Sequence, residues 1–231
     1  MATTLDGPRL PAARGDAKEL VILLHGLGAD GNDLIGLAEQ WVDLLPDAEF
    51  VSPHAPEPCD MAPMGRQWFS LRDRNPESVL AGAKRAHAAL DRFIDAELKR
   101  LGLGDERLAL VGFSQGTMMS LYTGLRRRRA PAAIVGFSGA LVAPELLARE
   151  AAVKPPVLLL HGDKDEIVPV GALHGSVAGL AAAGVAVAWH VSPGMGHSID
   201  EIGLALGGDF LNRCLNGIGR PEPPEPVPAH A

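Results

Sequence analysis

Short unbroken apolar runs recur along this chain, and each empties into a glycine-bearing loop. Leu20-Val21-Ile22-Leu23-Leu24 leads into His25-Gly26-Leu27-Gly28, Leu108 to Val111 into Gly112-Phe113-Ser114-Gln115-Gly116, and Pro156 to Leu160 into His161-Gly162-Asp163. Apolar residues at consecutive rather than alternate positions mark strands buried on both faces, as in a parallel sheet. Further strands are expected at 49–51 and 185–191, a strand with a tight turn at 132–139, and helices at 33–45, 76–101, 117–125, 144–151, 171–183 and 199–216. Strands and helices alternate with no internal repeat and no linker. The pattern predicts one α/β domain over residues 1–218, a mostly parallel central sheet with helices on both faces. Ligands in such sheets bind at the carboxyl ends of the strands, where all of these loops fall.

Composition narrows the class. A chain of 231 residues, 47% apolar, is long enough to bury one sizeable core. A net charge of −7 argues against a nucleic-acid binder, which would carry a basic footprint. Arg126 to Arg129 is the exception, and reads as the exposed last turn of a helix, where cations complement the helix dipole. Cys59 and Cys214 are too few for a disulfide framework or a metal site, and two reduced thiols are the economical reading. The N-terminus has no basic stretch leading into an apolar one, and no apolar run is long enough to span a bilayer; a cytoplasmic protein is expected. Residues 1–17 leave room for an edge strand of no definite place. The tail, 219–231, rich in proline and glutamate, is expected to be disordered.

Gly112-Phe113-Ser114-Gln115-Gly116 is a G-x-S-x-G pattern between a strand and a helix, the context of a nucleophile elbow. A serine forced into a sharp turn needs small neighbours, and glycines stand two residues away on each side. The following helix aims its free N–H groups at the place where negative charge would develop. Alone, the pattern is equally a plain Gly-Ser turn.

A serine hydroxyl becomes nucleophilic when a neutral imidazole takes its proton and an anion backs the imidazolium. Of eight histidines, His197 is best placed, in the loop Gly194-Met195-Gly196-His197 after a strand. His87, within a long amphipathic helix, reads as a packing histidine. For the acid, the loop after Leu160 offers Asp163, Asp165 and Glu166. The order serine, acid, histidine is that of the α/β-hydrolase fold. The tetrahedral oxyanion needs two N–H donors, one from Gln115 and one from the His25–Gly31 loop. The long segment from Ser52 to Asn75 holds Met61, Met64, Trp68, Phe69 and Leu71. It reads equally as a substrate-pocket wall or as a loop tacked onto the core.

Leu24-His25-Gly26-Leu27-Gly28-Ala29-Asp30-Gly31, Gly112 to Gly116, His161-Gly162-Asp163-x-Asp165-x-x-Val168-Pro169 and Gly194 to Ser198 together resemble the phospholipase/carboxylesterase family. The resemblance runs from about Leu20 to Leu215. It implies Ser114 as nucleophile, Asp165 rather than Asp163 as the acid and His197 as base. It also implies the backbone N–H groups of Leu27 and Gln115 as the oxyanion hole, and Trp68, Leu71 and Ile167 as acyl-groove residues. Neither the arginine run nor the tail takes meaning from it.

The resulting expectation is a serine hydrolase of carboxylic esters or thioesters working through an acyl-enzyme. It needs no metal and no organic cofactor. Its substrate is a small-molecule ester or a lipid-like one, with small to medium acyl esters ahead of lysophospholipids and acyl-protein thioesters. Apolar loops near the site leave room for a homodimer. A dienelactone-hydrolase-like enzyme is disfavoured by serine at 114. An inactive hydrolase-fold binding module is disfavoured because no triad residue is missing.

Overall fold

The computed structural model describes residues 5–218. The elements, in chain order, are β1 (Arg9–Leu10), β2 (Glu19–Leu24), α1 (Gly31–Leu34), α2 (Gly36–Trp41), β3 (Ala48–Val51), β4 (Glu57–Pro58), β5 (Arg66–Gln67), α3 (Pro76–Leu101), a 3-10 turn (Asp105–Arg107), β6 (Leu108–Phe113), α4 (Gln115–Gly124), β7 (Ala133–Phe137), α5 (Pro144–Glu150), β8 (Val157–Gly162), α6 (Gly171–Ala182), β9 (Val187–Ser192) and α7 (Glu201–Leu215). Among the described residues they form a seven-stranded sheet in the order β1-β3-β2-β6-β7-β8-β9, and a small β4-β5 ribbon. Only β1, paired with β3, runs antiparallel in the large sheet.

The consecutive apolar runs are buried on both faces as their sequence demands. Leu20, Ile22 and Leu24 face one layer with Leu90, Ile94 and Leu121, while Val21 and Leu23 face the other with Trp41, Phe210 and Leu211. The chain leaves β2 toward β3 on one side and later returns to β6 on the other. The crevice between β2 and β6 is therefore the topological switch point, where α/β sheets bind their ligands. Register there sets Leu24 beside Gly112, so the loops after β2 and β6 begin level with each other.

The long helix α3 starts at Asn75, whose side chain accepts from the Glu77 N–H, with Pro76 in the first turn, and ends at Gly102 in the left-handed region. Its inner face is Ala83, Ala86, Leu90, Phe93, Ile94 and Leu98.

Three features depart from the sequence reading. The helix expected at 33–45 is two short pieces that meet at Ile35, because Ala38 bonds back to the Ile35 carbonyl in a tighter turn around Gly36. Leu34, Ala38, Trp41 and Leu45 still reach the core. The segment after β3 contains the β4-β5 ribbon, too short for any periodicity to reveal.

The arginine run is not an exposed helix turn. Helix α4 stops at Gly124, and Arg127 is only 5% exposed, paired with Asp91 and Asp95 of α3 and with Asp105. Arg126 lies over the Tyr122 ring at 3.8 Å and bonds Glu150. Only Arg128 and Arg129 are exposed. Carboxylates of α3 and the 3-10 turn draw the Arg127 guanidinium inward, and Glu150 at the end of α5 holds that of Arg126. His87 packs edge-on to Tyr122 and meets the Thr123 hydroxyl. Cys59 and Cys214 are both thiols. Among the described residues, no helix is long and apolar enough to cross a membrane.

Candidate active site

Ser114 sits between β6 and α4 with φ 54° and ψ −115°, a conformation that L residues seldom adopt. Such strain costs of the order of 1–3 kcal/mol and persists only where the surroundings over-determine it. They do so here through close backbone approach. A Cβ on Gly116 would stand 1.7 Å from the Leu24 carbonyl oxygen, and one on Gly112 would stand 2.3 Å from the Thr117 nitrogen. The Ser114 N–H is held by the Phe137 carbonyl, and the Thr117 hydroxyl donates to the carbonyls of Gly112 and Phe137. The turn is thus braced from both neighbouring strands, with α4 starting directly at Gln115.

His197 and Asp165 come together across the ends of β8 and β9. His197 Nδ1 lies 2.7 Å from Asp165 Oδ2. The other carboxylate oxygen, Oδ1, accepts the N–H groups of Ile167 and Val168 at 2.9 and 2.8 Å. Burial alone would raise the Asp165 carboxyl. The hydrogen bond with His197 and those from the Val168 and Ile167 N–H groups outweigh it and hold the pKa below the ordinary value. Asp163, also a candidate from the sequence, accepts the Gly194 N–H instead and so tethers the loop that carries His197. Glu166 is exposed. The His197 ring packs on Phe113, centroids 4.8 Å apart, and Phe113 is the last residue of β6, directly before Ser114.

The loop after β2 lies against the same serine: a Cβ on Gly26 would be 3.4 Å from Ser114 Cβ. His25 is fully buried, and its Nε2 accepts the Ala55 N–H at 3.0 Å. Its proton therefore resides on Nδ1, which donates to the Gly26 carbonyl at 2.7 Å. Burial pushes the His25 pKa down, so the ring stays neutral in this role. The Gly26–Leu27 peptide is planar and trans, so fixing its carbonyl also fixes the direction of the Leu27 N–H. Neither that N–H nor the Gln115 N–H, first in α4, meets a backbone acceptor among the described residues.

Of the expected groove residues, Trp68 stands elsewhere. It is 1% exposed, and its indole N–H donates to the His25 carbonyl at 3.0 Å, so it has no surface to offer a substrate. Its aromatic bulk is core filling beneath the loop after β2. Leu71 is half-buried against the core, whereas Ile167, two residues after Asp165, is 60% exposed. Of the other large side chains in that segment, Phe69 is buried, and Met61 and Met64 are exposed.

Two histidines escaped the sequence reading. His25 holds the loop after β2. His161 is buried, with Nε2 2.7 Å from the Val168 carbonyl and 3.3 Å from Asp165 Oδ2. The signal was present: both follow two leucines and precede glycine, at Leu23-Leu24-His25-Gly26 and Leu159-Leu160-His161-Gly162. Arginine 66 was missed as well. Its backbone brackets the loop after β2, accepting the Gly28 N–H and donating to the Ala29 carbonyl, both at 2.8 Å.

The model of the phospholipase/carboxylesterase family matches residues 6–215. Acyl-protein thioesterase 1 of Gibberella zeae is similar at 32% identity over 208 residues, covering 79% of this chain and 86% of the relative. Esterase YpfH of Escherichia coli is similar at 28% identity over 202 residues, covering 86% and 84%. The crystal structure of esterase PE8 is similar with a TM-score of 0.88 and 47% identity, covering 92% of this chain and 100% of that one. A family match across nearly the whole domain, a relative above 30% identity and a shared architecture converge: this chain is an ester hydrolase of the phospholipase/carboxylesterase family, built on the α/β-hydrolase fold.

Proposed function

We propose that the protein hydrolyses carboxylic esters or thioesters with Ser114 as nucleophile, His197 as general base and acid, and Asp165 as the orienting acid. The observation that carries the reading is the 2.7 Å contact between His197 Nδ1 and Asp165 Oδ2, made on the sheet edge where Ser114 is strained. A carboxylate only accepts hydrogen bonds, so Nδ1 carries the proton and Nε2 keeps a lone pair for the serine proton.

The steps follow from that tautomer. Ser114 Oγ forms a bond to the acyl carbon as its proton passes to His197 Nε2. The N–H groups of Leu27 and Gln115 take the oxyanion. Collapse breaks the bond to the leaving alcohol or thiol, which receives the proton from His197. Water then attacks the acyl-enzyme with His197 again as base, releasing the acid and free Ser114. Leu71 and the exposed Ile167 offer apolar surface for the acyl chain.

Small to medium acyl esters are the favoured substrates. A longer-chain reading, as lysophospholipase or acyl-protein thioesterase, is favoured by the exposure of Ile167, Met61 and Met64. Hydrolysis rates on p-nitrophenyl esters of increasing acyl length, with Ser114→Ala in parallel, separate the two. Turnover that peaks on short chains and vanishes in Ser114→Ala supports the first reading, and a long-chain optimum supports the second. Undiminished turnover in Ser114→Ala contradicts both.

A further inference from the structure

The two amides aimed at the oxyanion belong to different loops, and the structure contains a side-chain bridge between them. Gln115 is fully buried. Its Oε1 accepts the Trp68 N–H at 2.9 Å, and its Nε2 donates to the Phe69 carbonyl at 2.7 Å. The carboxamide therefore grips one stretch of backbone from both sides. Trp68 in turn sends its indole N–H to the His25 carbonyl, 3.0 Å away and two residues before Leu27. The same segment clamps the far side of Leu27 through the two backbone bonds of Arg66 to Gly28 and Ala29. The Arg66 guanidinium is anchored on the carbonyls of Ala55 and Pro56.

We infer that the Gln115 side chain and Trp68 are positioning residues that set the separation of the Leu27 and Gln115 N–H groups. The inference rests on the oxyanion hole named above. Gln115 then has two duties: its backbone is one donor, and its side chain holds the loop that carries the other. A buried carboxamide serving two backbone groups is a costly device unless both of its bonds are made. A purely apolar side chain would fill the same space without them. What the bonds add is registry between the elbow and the loop after β2. Stabilisation of an oxyanion depends steeply on donor geometry, so slack of a fraction of an ångström appears in the chemical step rather than in substrate binding.

Trp68→Phe keeps a buried aromatic ring, though a smaller one, and deletes the donor to His25. Gln115→Met keeps the volume and deletes both carboxamide bonds while leaving the backbone N–H in place. Each should lower kcat on a p-nitrophenyl ester by about 10- to 100-fold with KM within about twofold. Each should weaken inhibition by an aryl trifluoromethyl ketone, which binds as an oxyanionic hemiketal, by a similar factor. The double variant should lose no more than the worse single one, since both cut the same bridge. Native kcat and inhibitor affinity in whichever variant folds would overturn the inference, as would additive losses. A rise in KM alone would also overturn it by making Trp68 a substrate contact. Ser114→Ala, run beside them, keeps the two claims apart. If it remains active the serine reading fails, and if it is dead while the bridge variants are native, only the bridge fails.

Discussion

His197 Nδ1 lies 2.7 Å from Asp165 Oδ2, while Asp165 Oδ1 is committed to the Ile167 and Val168 N–H groups. The division of labour between the two oxygens matters for Asp165→Asn. The two N–H donors require an oxygen at the Oδ1 position, which turns the new NH2 toward His197. Nδ1 must then accept, the proton moves to Nε2, and the proposed base can no longer take the serine proton. The expected result is a fall in kcat of the order of 10,000-fold with KM little changed, measured by steady-state ester hydrolysis. A loss below about tenfold would mean that the imidazole tautomer is set by something else.

The glycines around Ser114 make a steric prediction. Gly116→Ala would place a methyl 1.7 Å from the Leu24 carbonyl oxygen, so β2 and α4 must separate. Urea denaturation should show at least about 1–3 kcal/mol of destabilisation, with activity lost through distortion of the elbow. Gly175→Ala, at an exposed position of α6 with nothing within 4 Å of the new atom, should be neutral or stabilise by up to about 1 kcal/mol. Equal effects at the two positions would contradict the packing described.

His25 and His87 both have pKa values lowered by burial. Unfolding exposes them to their ordinary value of about 6.5, so below that pH the unfolded chain binds protons that the folded one refuses. Stability should be full above about pH 6.5 and decline as pH falls toward the lowered folded values. Asp165, held low in the folded state, adds its own loss only in the more acidic carboxylate range. Urea midpoints between about pH 7.5 and 5.5 should fall, and less steeply in His87→Gln. A flat midpoint across that window would contradict neutral buried rings.

Arg127 ties the end of α4 to α3 and the 3-10 turn through three aspartates. Arg127→Met should cost about 3 kcal/mol, the lower end for breaking a buried ionic cluster, because Asp91 and Asp95 can rehydrate. It lies at the opposite end of α4 from Ser114. Activity per folded molecule should therefore stay at the native level, as an active-site titration beside a thermal melt would reveal.

Legibility in the sequence followed the range of the interactions concerned. Leu20 to Leu24 and Leu108 to Val111 announce buried parallel strands, because burial on both faces leaves no room for polar residues. The amphipathic stretch 76–101 is bounded by Asn75-Pro76 and Gly102, and there the expected helix and α3 coincide. The groups around Ser114 and His197 were visible because tight turns demand glycine. What was not visible depends on partners distant in sequence. Arg127 is drawn inward by Asp91, Asp95 and Asp105, and nothing within its own run signals that. Trp68 has the composition of a pocket wall, but its indole N–H finds the His25 carbonyl 43 positions away. The β4-β5 ribbon is held by pairing two residues at a time, below any period a sequence displays. The expectation for the tail at 219–231 lies outside the described residues.

The most direct test of the account is covalent. The protein would be treated with an aryl fluorophosphonate in slight excess, digested, and the modified peptide identified by mass spectrometry alongside residual esterase activity. The account expects one label per chain on Ser114, with activity lost in proportion, and no labelling of Ser114→Ala. Label on another residue, or full esterase activity with Ser114 blocked, would contradict it.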